Sequence, residues 1–416
     1  MGASAGDPSL GKKDAWIASV DLAAFKSDVK ALGEELKAGQ GEQDIAHLHK
    51  MISWSNICAF IGFATAGILP YNTFVSAAFL SLAITSRWTM IAHHVCHGGY
   101  QKCDKSGRFN RFKFALNSMW RRFVDWFDWM LPEAWNVEHN HLHHYNLGEH
   151  SDPDLVERNA EFLRNSSAPM ILKYVGVILL AMTWKWFYYA PNTFKELRIH
   201  EMSKKDPKRL KKTIEAAKRG EVMNVHEHIL AWNFFGNTLP DWVSGWDFLW
   251  RSFGPYFLYR FVVFPAPWII VGYVGNFTDP LLFYKTAICN CILGDVLANL
   301  HSFIIVVTNH AGDDIYKFST KCLPKSGTFY LRQVISSVNY SAGNDLIDFA
   351  HGWLNYQIEH HLFPDLSMLS YRRAMPRVKQ ICAKHGVPYI QHNVFFRVKK
   401  TVDIIIGKTS MREFPE

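Results

Sequence analysis

The sequence predicts an all-α integral membrane protein with four transmembrane helices in two hairpins and a helical cap on the cytosolic side. Four apolar stretches have about the 20 residues that a helix needs to cross a bilayer. Basic residues cluster beside these stretches, as they do on the cytosolic flank of membrane proteins. Histidines gather at three places next to the same stretches, which predicts a metal-binding cap.

The four predicted spans pair by sequence distance. Residues 52–70 and 72–92 form the first hairpin, and residues 256–275 and 281–309 form the second. Each hairpin returns the chain to the side from which it came. The basic residues around the first hairpin then share one face, which the excess of Lys and Arg makes cytosolic.

Residues 170–190 are also apolar and long enough to span, but they contain Lys173 and Lys185. A lysine at mid-bilayer costs about 2.5–3.5 kcal/mol on insertion scales, and the basic run 204–219 follows directly. The sequence therefore favours a helix that lies in the membrane interface over a further span.

The chain reads as one membrane domain, residues 51–400, between a cytosolic amphipathic segment, residues 1–50, and a C-terminal tail, residues 401–416. The formal net charge of +8 comes without a nucleic-acid recognition motif, so nucleic acid is not an expected partner. The seven cysteines are scattered and odd in number, which favours a reducing compartment.

The first two histidine clusters have helical spacing. His93 and His97 stand four residues apart and so share one helix face, close enough to bind one metal. His139 and His143 have the same spacing, and His144 is offset toward a neighbouring metal. The intervening His94 and His141 are expected to face away from these sites, because neither belongs to the four-residue spacing of its cluster.

The third cluster holds Gln357, His360 and His361, and the amide of Gln357 could occupy a coordination position directly or through water. The seven clustered histidines exceed what one ion can use while leaving room for substrate, so two metal ions are predicted. Imidazole alone suits iron, zinc and copper.

One further ligand is expected from the last predicted span. Asp295, Asn299 and His310 fall on one helix face, and His310 lies at its cytosolic end. We therefore predict His310 as a ligand, with His301 on the opposite face as the weaker candidate.

Two features near the second cluster have more than one interpretation. Asp152 and Asp154 either orient ligating imidazoles or form a turn and a helix N-cap. Four tryptophans either line a substrate tunnel or, as we favour, form a belt at the level of the lipid headgroups: Trp120, Trp126, Trp129 and Trp135.

The sequence resembles the membrane fatty-acid desaturase superfamily, whose three histidine boxes match residues 93–97, 139–144 and 357–361. The string Leu354-Asn-Tyr-Gln-Ile-Glu-His-His-Leu-Phe-Pro364, with Gln357 in place of a histidine, is similar to the front-end acyl-lipid desaturases, and so is the segment 376–389. The resemblance covers roughly residues 50–400. Three departures are that His94 stands where aspartate is usual, that three residues separate His139 from the histidine pair, and that His351 has no counterpart, for which we favour a structural role.

The resemblance implies an O₂-dependent di-iron enzyme that introduces a cis double bond into a lipid acyl chain, carried on a lipid or on coenzyme A. Iron is expected because activation of O₂ for C–H cleavage needs a redox metal, and no catalytic residue is implied beyond the metal ligands. The implied ligands are His93, His97, His139, His143, His144, His310, Gln357, His360 and His361.

The same resemblance implies partners and a location. The sequence has no His-Pro-Gly-Gly haem motif, so electrons are expected from a separate cytochrome b5 or ferredoxin with its reductase. The expected location is the endoplasmic reticulum or a bacterial inner membrane, with the active site facing the cytosol. A di-iron hydroxylase, or a desaturase of a sterol or sphingolipid, is the alternative. A membrane receptor with a vestigial site would be expected to have lost box residues, and none of the seven histidines is lost.

Overall fold

Helices make up almost all of the regular structure in the computed structural model, which describes residues 13–236 and 238–415. The predicted all-α class is confirmed. The first twelve residues of the predicted N-terminal segment and the last residue of the predicted tail lie outside the described residues.

Eleven helices carry the architecture within the described ranges. In chain order they are α1 (Leu22–Ala38), α2 (Glu42–Ala66), α3 (Val75–Thr85), α4 (Met170–Trp184), α5 (Pro207–Lys218), α6 (Pro267–Val274), α7 (Leu282–Val306), α8 (Gly327–Ile335), α9 (Gln357–Leu362), α10 (Met368–Lys384) and α11 (Val394–Ile405).

Shorter segments extend or connect these helices. Turns of π-helix are Ser86–Ala92, Arg122–Trp126, Asn136–His143, Lys185–Tyr189, Leu249–Phe253 and Tyr259–Val263. Short α-helices are His93–Cys96, Met119–Arg121, Pro132–Trp135, His144–Asn146, Val156–Asn159, Glu161–Arg164, Gly245–Phe248, Gly254–Leu258 and Asp345–Ala350, and Ala190–Lys205 continues α4. Turns of 3₁₀-helix are Ala15–Ser19, Tyr71–Thr73, Ala231–Phe235, Val307–Asn309 and Leu354–Tyr356. Strands β1 (Tyr316–Lys317) and β2 (Arg412–Glu413) pair in parallel.

Four helical stretches among the described residues are long and apolar enough to cross a membrane: Val75–Cys96, Met170–Lys205, Gly245–Val274 and Leu282–Asn309. The predicted number of four is confirmed. Three of the stretches contain or overlap the predicted spans 72–92, 256–275 and 281–309. The fourth differs from the prediction.

The predicted span 52–70 lies in α2, which is not among the four apolar stretches. The helix ends at Ala66, before Pro70, and its apolar half contains Ser55 and Asn56, which lower its hydropathy. Helix α2 nevertheless packs against α3, and α6 packs against α7. Both predicted hairpins therefore form, although α2 is less apolar than expected.

Residues 170–190, which we predicted as an interfacial helix, belong instead to one of the four apolar stretches. The two lysines that argued against a span are buried in the protein. Lys173 donates to the carbonyl oxygen of Arg164 at 2.8 Å, and Lys185 donates to Asp128 at 2.5 Å. Because neither ammonium group faces lipid unpaired, the insertion cost that we assigned to them does not apply.

The N-terminal helices cover the third histidine cluster. Helix α1 packs against α8 and α10, and a side chain at Gly33 would overlap the ring of Phe363, with 2.8 Å between the added carbon and the ring. The predicted domain boundaries after residues 50 and 400 fall inside α2 and α11, so neither end of the described chain is a separate segment at those points.

Candidate metal centre

The three histidine clusters and His310 meet in the interior of the protein as two adjoining groups. The nitrogen atoms within each group lie within 4.8 Å of one another, and every member is buried. The first group is His93, His97, His139, His144 and His360, and the second is His143, His310 and His361. A third set connects these two groups, because His139 and His143 also lie within the same distance of each other and of the half-buried Asp154. Each group therefore combines residues from different boxes.

The ring nitrogens of these histidines face one another at short distance. The Nε2 atom of His360 lies 3.0 Å from Nε2 of His93 and 3.1 Å from Nε2 of His144. In the second group, Nε2 of His361 lies 3.2 Å from Nε2 of His310. Two nitrogens bound to one ion at about 2.1 Å and at a right angle stand about 3.0 Å apart, so these separations fit adjacent ligands of a shared ion.

Hydrogen bonds on the outer side of the second group fix the ring tautomers. The Nδ1 atom of His310 donates to the carbonyl of Ser336 at 3.1 Å, and Nδ1 of His361 donates to Oε1 of Gln333 at 3.2 Å. With the proton on Nδ1, the lone pair of each Nε2 points inward. This is the arrangement that metal-ligating histidines adopt in proteins.

The first group has a comparable support at His360. Its Nδ1 lies 3.2 Å from the hydroxyl of Tyr371, which itself donates to the carbonyl of Pro364 at 3.0 Å. Because the Tyr371 proton is committed to Pro364, its oxygen accepts from the His360 Nδ1–H. The Nε2 lone pair of His360 is thereby directed into the group.

Burial keeps most of these imidazoles neutral. Burial, reinforced by neighbouring imidazoles, holds the pKa of His97, His139, His144, His360 and His361 well below the usual value. A neutral imidazole offers a lone pair to a metal, whereas a protonated one cannot.

The pKa values of His310 and His143 depart from this pattern, in the size of the shift at His310 and in its direction at His143. The same burial lowers the pKa of His310 to about 3. At His143 burial also lowers the pKa, but the charge and hydrogen bond of Asp152 more than offset it, and the pKa is raised. The Nδ1 of His143 donates to Asp152 at 2.9 Å, with Asp154 at 3.7 Å. Asp152 thus orients an imidazole and, by accepting from the backbone N–H of Asp154, also caps a turn.

Gln357 completes the second group. Its amide nitrogen lies 3.0 Å from Nε2 of His310 and 3.2 Å from Nε2 of His361. Its amide oxygen is buried and has no hydrogen-bond partner among the described residues. Rotation of the terminal amide by half a turn exchanges its nitrogen and oxygen. The oxygen would then face Nε2 of His310 and Nε2 of His361.

The second cluster divides between the groups differently from the spacing prediction. His139 joins His144 in the first group, and His143 joins His310 and His361 in the second, although His139 and His143, which we had paired, also lie together with Asp154 in the third set. The reason is the π-helix over Asn136–His143, whose wider turn brings residues five apart onto one face. The groups adjoin where the ring of His144 stacks on that of His361, with centroids 4.4 Å apart.

The remaining histidines near the boxes have other partners. His94 donates to the carbonyl of Met90 at 2.5 Å, and His301 donates to the carbonyl of Ala350 at 2.7 Å. Neither belongs to a group, and neither does the exposed His141.

The other two residues of the helix face from which we predicted His310, Asp295 and Asn299, form hydrogen bonds to neighbouring helices. Asp295 accepts from Nε of Arg260 at 3.1 Å, and Asn299 accepts from the backbone N–H of Lys185 at 3.0 Å. His351 donates to the carbonyl of Ile347 at 2.8 Å. Asp295, Asn299 and His351 thus form structural hydrogen bonds and lie outside both groups.

A largely apolar cavity ends at both histidine groups. Asp154 is the one carboxylate among the residues that line it. The lining residues are His93, His139, His143, Asp154, Val156, Asn159, Ala160, Phe162, Leu180, Trp184, Tyr188, Tyr189, Leu230, Phe303, Val306, Val307, His310, Leu354, Gln357 and Ile405. Phe162, one of these lining residues, is 62% exposed.

Three of the four tryptophans between the first two boxes have neither of the expected roles. Trp126, Trp129 and Trp135 are buried rather than placed in a headgroup belt, and none of the four lines the cavity. Trp135 stacks on His139 with ring centroids 4.5 Å apart and so fixes the plane of that imidazole. Trp120 is 72% exposed.

Comparison with known families decides the assignment. Residues 67–393 match the family described as fatty acid desaturase, which is most of the chain. The chain belongs to the fatty acid desaturase family. The resemblance seen in the sequence is thereby confirmed, and together with the four apolar helices it identifies a membrane protein and an oxidoreductase family that acts on fatty acids.

Named desaturases are among the similar proteins. The chain is 32% identical over 121 residues to the NADPH-dependent stearoyl-CoA 9-desaturase of Mycobacterium tuberculosis, covering 28% of each chain. It is 36% identical over 66 residues to the sn-1 linoleoyl-lipid 6-desaturase of Arthrospira platensis (16% of this chain and 18% of the relative). It is 58% identical over 43 residues to fatty acid desaturase 3 of Bos taurus (10% of each). These matches thus span less than a third of the relatives' length, and no solved structure matches.

Some residues that this desaturase-family site uses escaped sequence reasoning. Tyr371 and Gln333 hold the outer nitrogens of His360 and His361 but lie 11 and 28 residues away along the chain. Trp184, Tyr188 and Tyr189 line the cavity from the stretch that we had placed in the interface. No local spacing marks such residues, because their roles depend on how distant helices pack.

Proposed function

We propose that this chain is an O₂-dependent di-iron desaturase that introduces a cis double bond into a fatty acyl chain. The observation that carries the proposal is that the apolar cavity ends on both histidine groups. His93 and His139 of the first group and His143 and His310 of the second line its inner end. An acyl chain in this cavity would lie with its methylene groups beside the metal centre.

The named relatives support an acyl substrate. One is named for stearoyl-CoA and another for linoleoyl lipid, and both names describe long acyl chains on different carriers. A fatty acyl chain also fits the cavity chemically, since its walls are mostly hydrocarbon and aromatic.

We assign one iron to each histidine group. The first would be held by His93, His97, His139, His144 and His360, and the second by His143, His310 and His361 with Gln357. The fit rests on buried neutral imidazoles, inward lone pairs and the unpartnered amide oxygen of Gln357. Iron bound there supplies the redox chemistry that activates O₂ for cleavage of an unactivated C–H bond.

The proposed reaction balances only with an outside reductant. Two adjacent C–H bonds break, one C=C bond forms, and O₂ becomes two molecules of water. Two of the four electrons that reduce O₂ come from the acyl chain, and a donor supplies the other two with two protons from solvent. We propose a separate cytochrome b5 or ferredoxin, with its reductase, as that donor.

The residues of the chain itself position the substrate and exclude water. Trp184, Phe303 and Ile405 are buried cavity walls that would hold the acyl chain straight toward the histidines. Exclusion of water from such a site strengthens its electrostatic interactions and prevents side reactions. We propose that the site faces the cytosol of the endoplasmic reticulum or of a bacterium, because an excess of Lys and Arg, as beside the first hairpin, favours the cytosolic side of a membrane.

The test is a lipid analysis of a desaturase-poor host that expresses the chain, by gas chromatography with mass-spectrometric location of double bonds. Acyl chains, sterols and sphingoid bases are all measured. We expect a new cis double bond in acyl chains, none with His361→Ala, and a retained product with His301→Ala, whose ring lies outside both groups. A hydroxylated or non-acyl product would contradict the proposal.

A further inference from the structure

A second cavity reaches the histidine groups by a different route. It shares no lining residue with the apolar cavity and touches His97, His144 and His361. We call it the basic cleft, and its lining residues are Lys30, Gly33, Glu34, Lys37, His97, Arg111, Asn140, His144, Tyr145, Lys325, Phe329, Tyr330 and residues 361–366. Helix α1 forms one wall, and the segment that follows the third box forms another.

The rim of the basic cleft carries excess positive charge. Four basic side chains line it, Lys30, Lys37, Arg111 and Lys325, against the two carboxylates Glu34 and Asp365. Lys37 pairs with Asp365. None of the other three cations forms an ion pair with another described residue.

The positive charges around the cleft shift the pKa of one of its lysines. Partial burial lowers the pKa of Lys37, and the charges of Lys102 and Lys325 lower it further. Lys102 lies outside the lining but extends the same basic surface. An anionic partner at this rim would therefore meet a concentrated field rather than isolated charges.

The floor of the basic cleft is the metal centre itself. His97 and His144 belong to the first group and His361 to the second. Tyr145 and Phe329 also line the cleft, and their ring centroids lie 6.3 Å apart. Electrons could therefore reach both groups from this side while an acyl chain fills the other cavity.

We propose that the basic cleft is the docking surface for an acidic protein that carries a one-electron cofactor. The inference rests on the proposed function, because desaturation draws two electrons from a donor, whose cofactor is oxidised by one electron in each of two encounters. Weak redox complexes bury little surface, and charge complementarity governs how fast and how specifically they form. An acidic donor matches the unpaired cations of the rim.

The test compares two charge reversals of equal size. Lys30→Glu with Lys325→Glu alters the cleft, and Lys208→Glu with Lys211→Glu alters the exposed basic helix α5 as the matched control. The purified enzyme is driven either by the soluble haem domain of cytochrome b5, or by a ferredoxin, or by chemically reduced methyl viologen, which needs no docking surface.

We expect the cleft variant to raise the KM for the protein donor on the order of tenfold at low salt and to weaken its salt dependence. The viologen-driven rate should be unchanged, and the control should match wild type. An unchanged donor KM would overturn the inference, and so would an equal loss with viologen. A raised KM for acyl-CoA alone would instead assign the cleft to the phosphates of coenzyme A and would also overturn it.

A binding measurement separates this inference from the proposed function. Calorimetric titration of the purified protein with the cytochrome b5 domain, and separately with the ferredoxin, should show association with a donor that the cleft variant weakens and the control does not. Association of this kind would support the docking surface even if the wild-type enzyme, driven by viologen, desaturates no substrate. The absence of desaturation would refute the proposed function. No association in either donor titration would refute the docking surface.

Discussion

Replacement of Asp152 by asparagine probes the support of one proposed metal ligand, His143, without changing side-chain size. The Oδ1 atom accepts from Nδ1 of His143 and from the backbone N–H of Asp154, both at 2.9 Å, and Oδ2 accepts from the backbone N–H of Gly148 at 2.9 Å. Asparagine has one acceptor oxygen. In either orientation its NH₂ group must therefore face a donor.

The expected loss follows from that mismatch. Loss of an outer hydrogen-bond partner of a ligating histidine costs about 10–100-fold in metal affinity or activity. This corresponds to about 1.4–2.7 kcal/mol of binding free energy. The pair is fully buried, so water cannot replace the lost acceptor, and the larger value is the better guide.

The assay is iron affinity by chelator competition on the purified Asp152→Asn variant. The matched control is Asp28→Asn, because Asp28 also accepts from an imidazole, Nε2 of His385 at 2.8 Å, but lies outside both groups. We expect weaker iron binding in the first variant and wild-type affinity in the second. Wild-type affinity within about twofold in Asp152→Asn would refute the role of His143 as an oriented ligand.

Three further perturbations test other parts of the structure. Tyr371→Phe removes the acceptor for His360, so iron affinity should fall about tenfold in the chelator assay, and no change would contradict the assigned tautomer. Ala160→Phe fills the buried cavity wall, so kcat/KM for acyl substrate should fall at least tenfold at normal iron content; retained kcat/KM would show that substrate binds elsewhere. Lys185→Met strands the buried Asp128 and should cost about 3–5 kcal/mol of stability, seen as a lower Tm, whereas adding Asp128→Leu should restore most of it. Equal Tm in the single and double variants would argue against the pair.

Much of the histidine grouping could be predicted because the proposed ligands are close in sequence. His93 and His97 lie one helical turn apart, and residues 357–361 form a single short helix. The position of His310 followed from the face and length of the last apolar helix, and it lies in the second group. Local periodicity was sufficient wherever the helix was regular.

The failures arose where long-range packing or irregular backbone decided the outcome. The π-helix over Asn136–His143 precedes His144, whose Nε2 lies 3.3 Å from Nε2 of His139 five residues earlier, and no residue in that stretch marks the wider turn. Lys185 looked too costly for a membrane helix because its partner, Asp128, lies 57 residues earlier. Tyr371, 11 residues after His360, was also missed, because its contact with that histidine depends on how the two helices pack.

The central claim is that the two histidine groups hold two irons in one chain. The most direct measurement is the metal content of the purified wild-type protein by mass spectrometry, with His143→Ala and His301→Ala as comparison variants. We predict two irons per chain in wild type and in His301→Ala, and fewer in His143→Ala. One iron or none in wild type, or zinc in place of iron, would contradict the account.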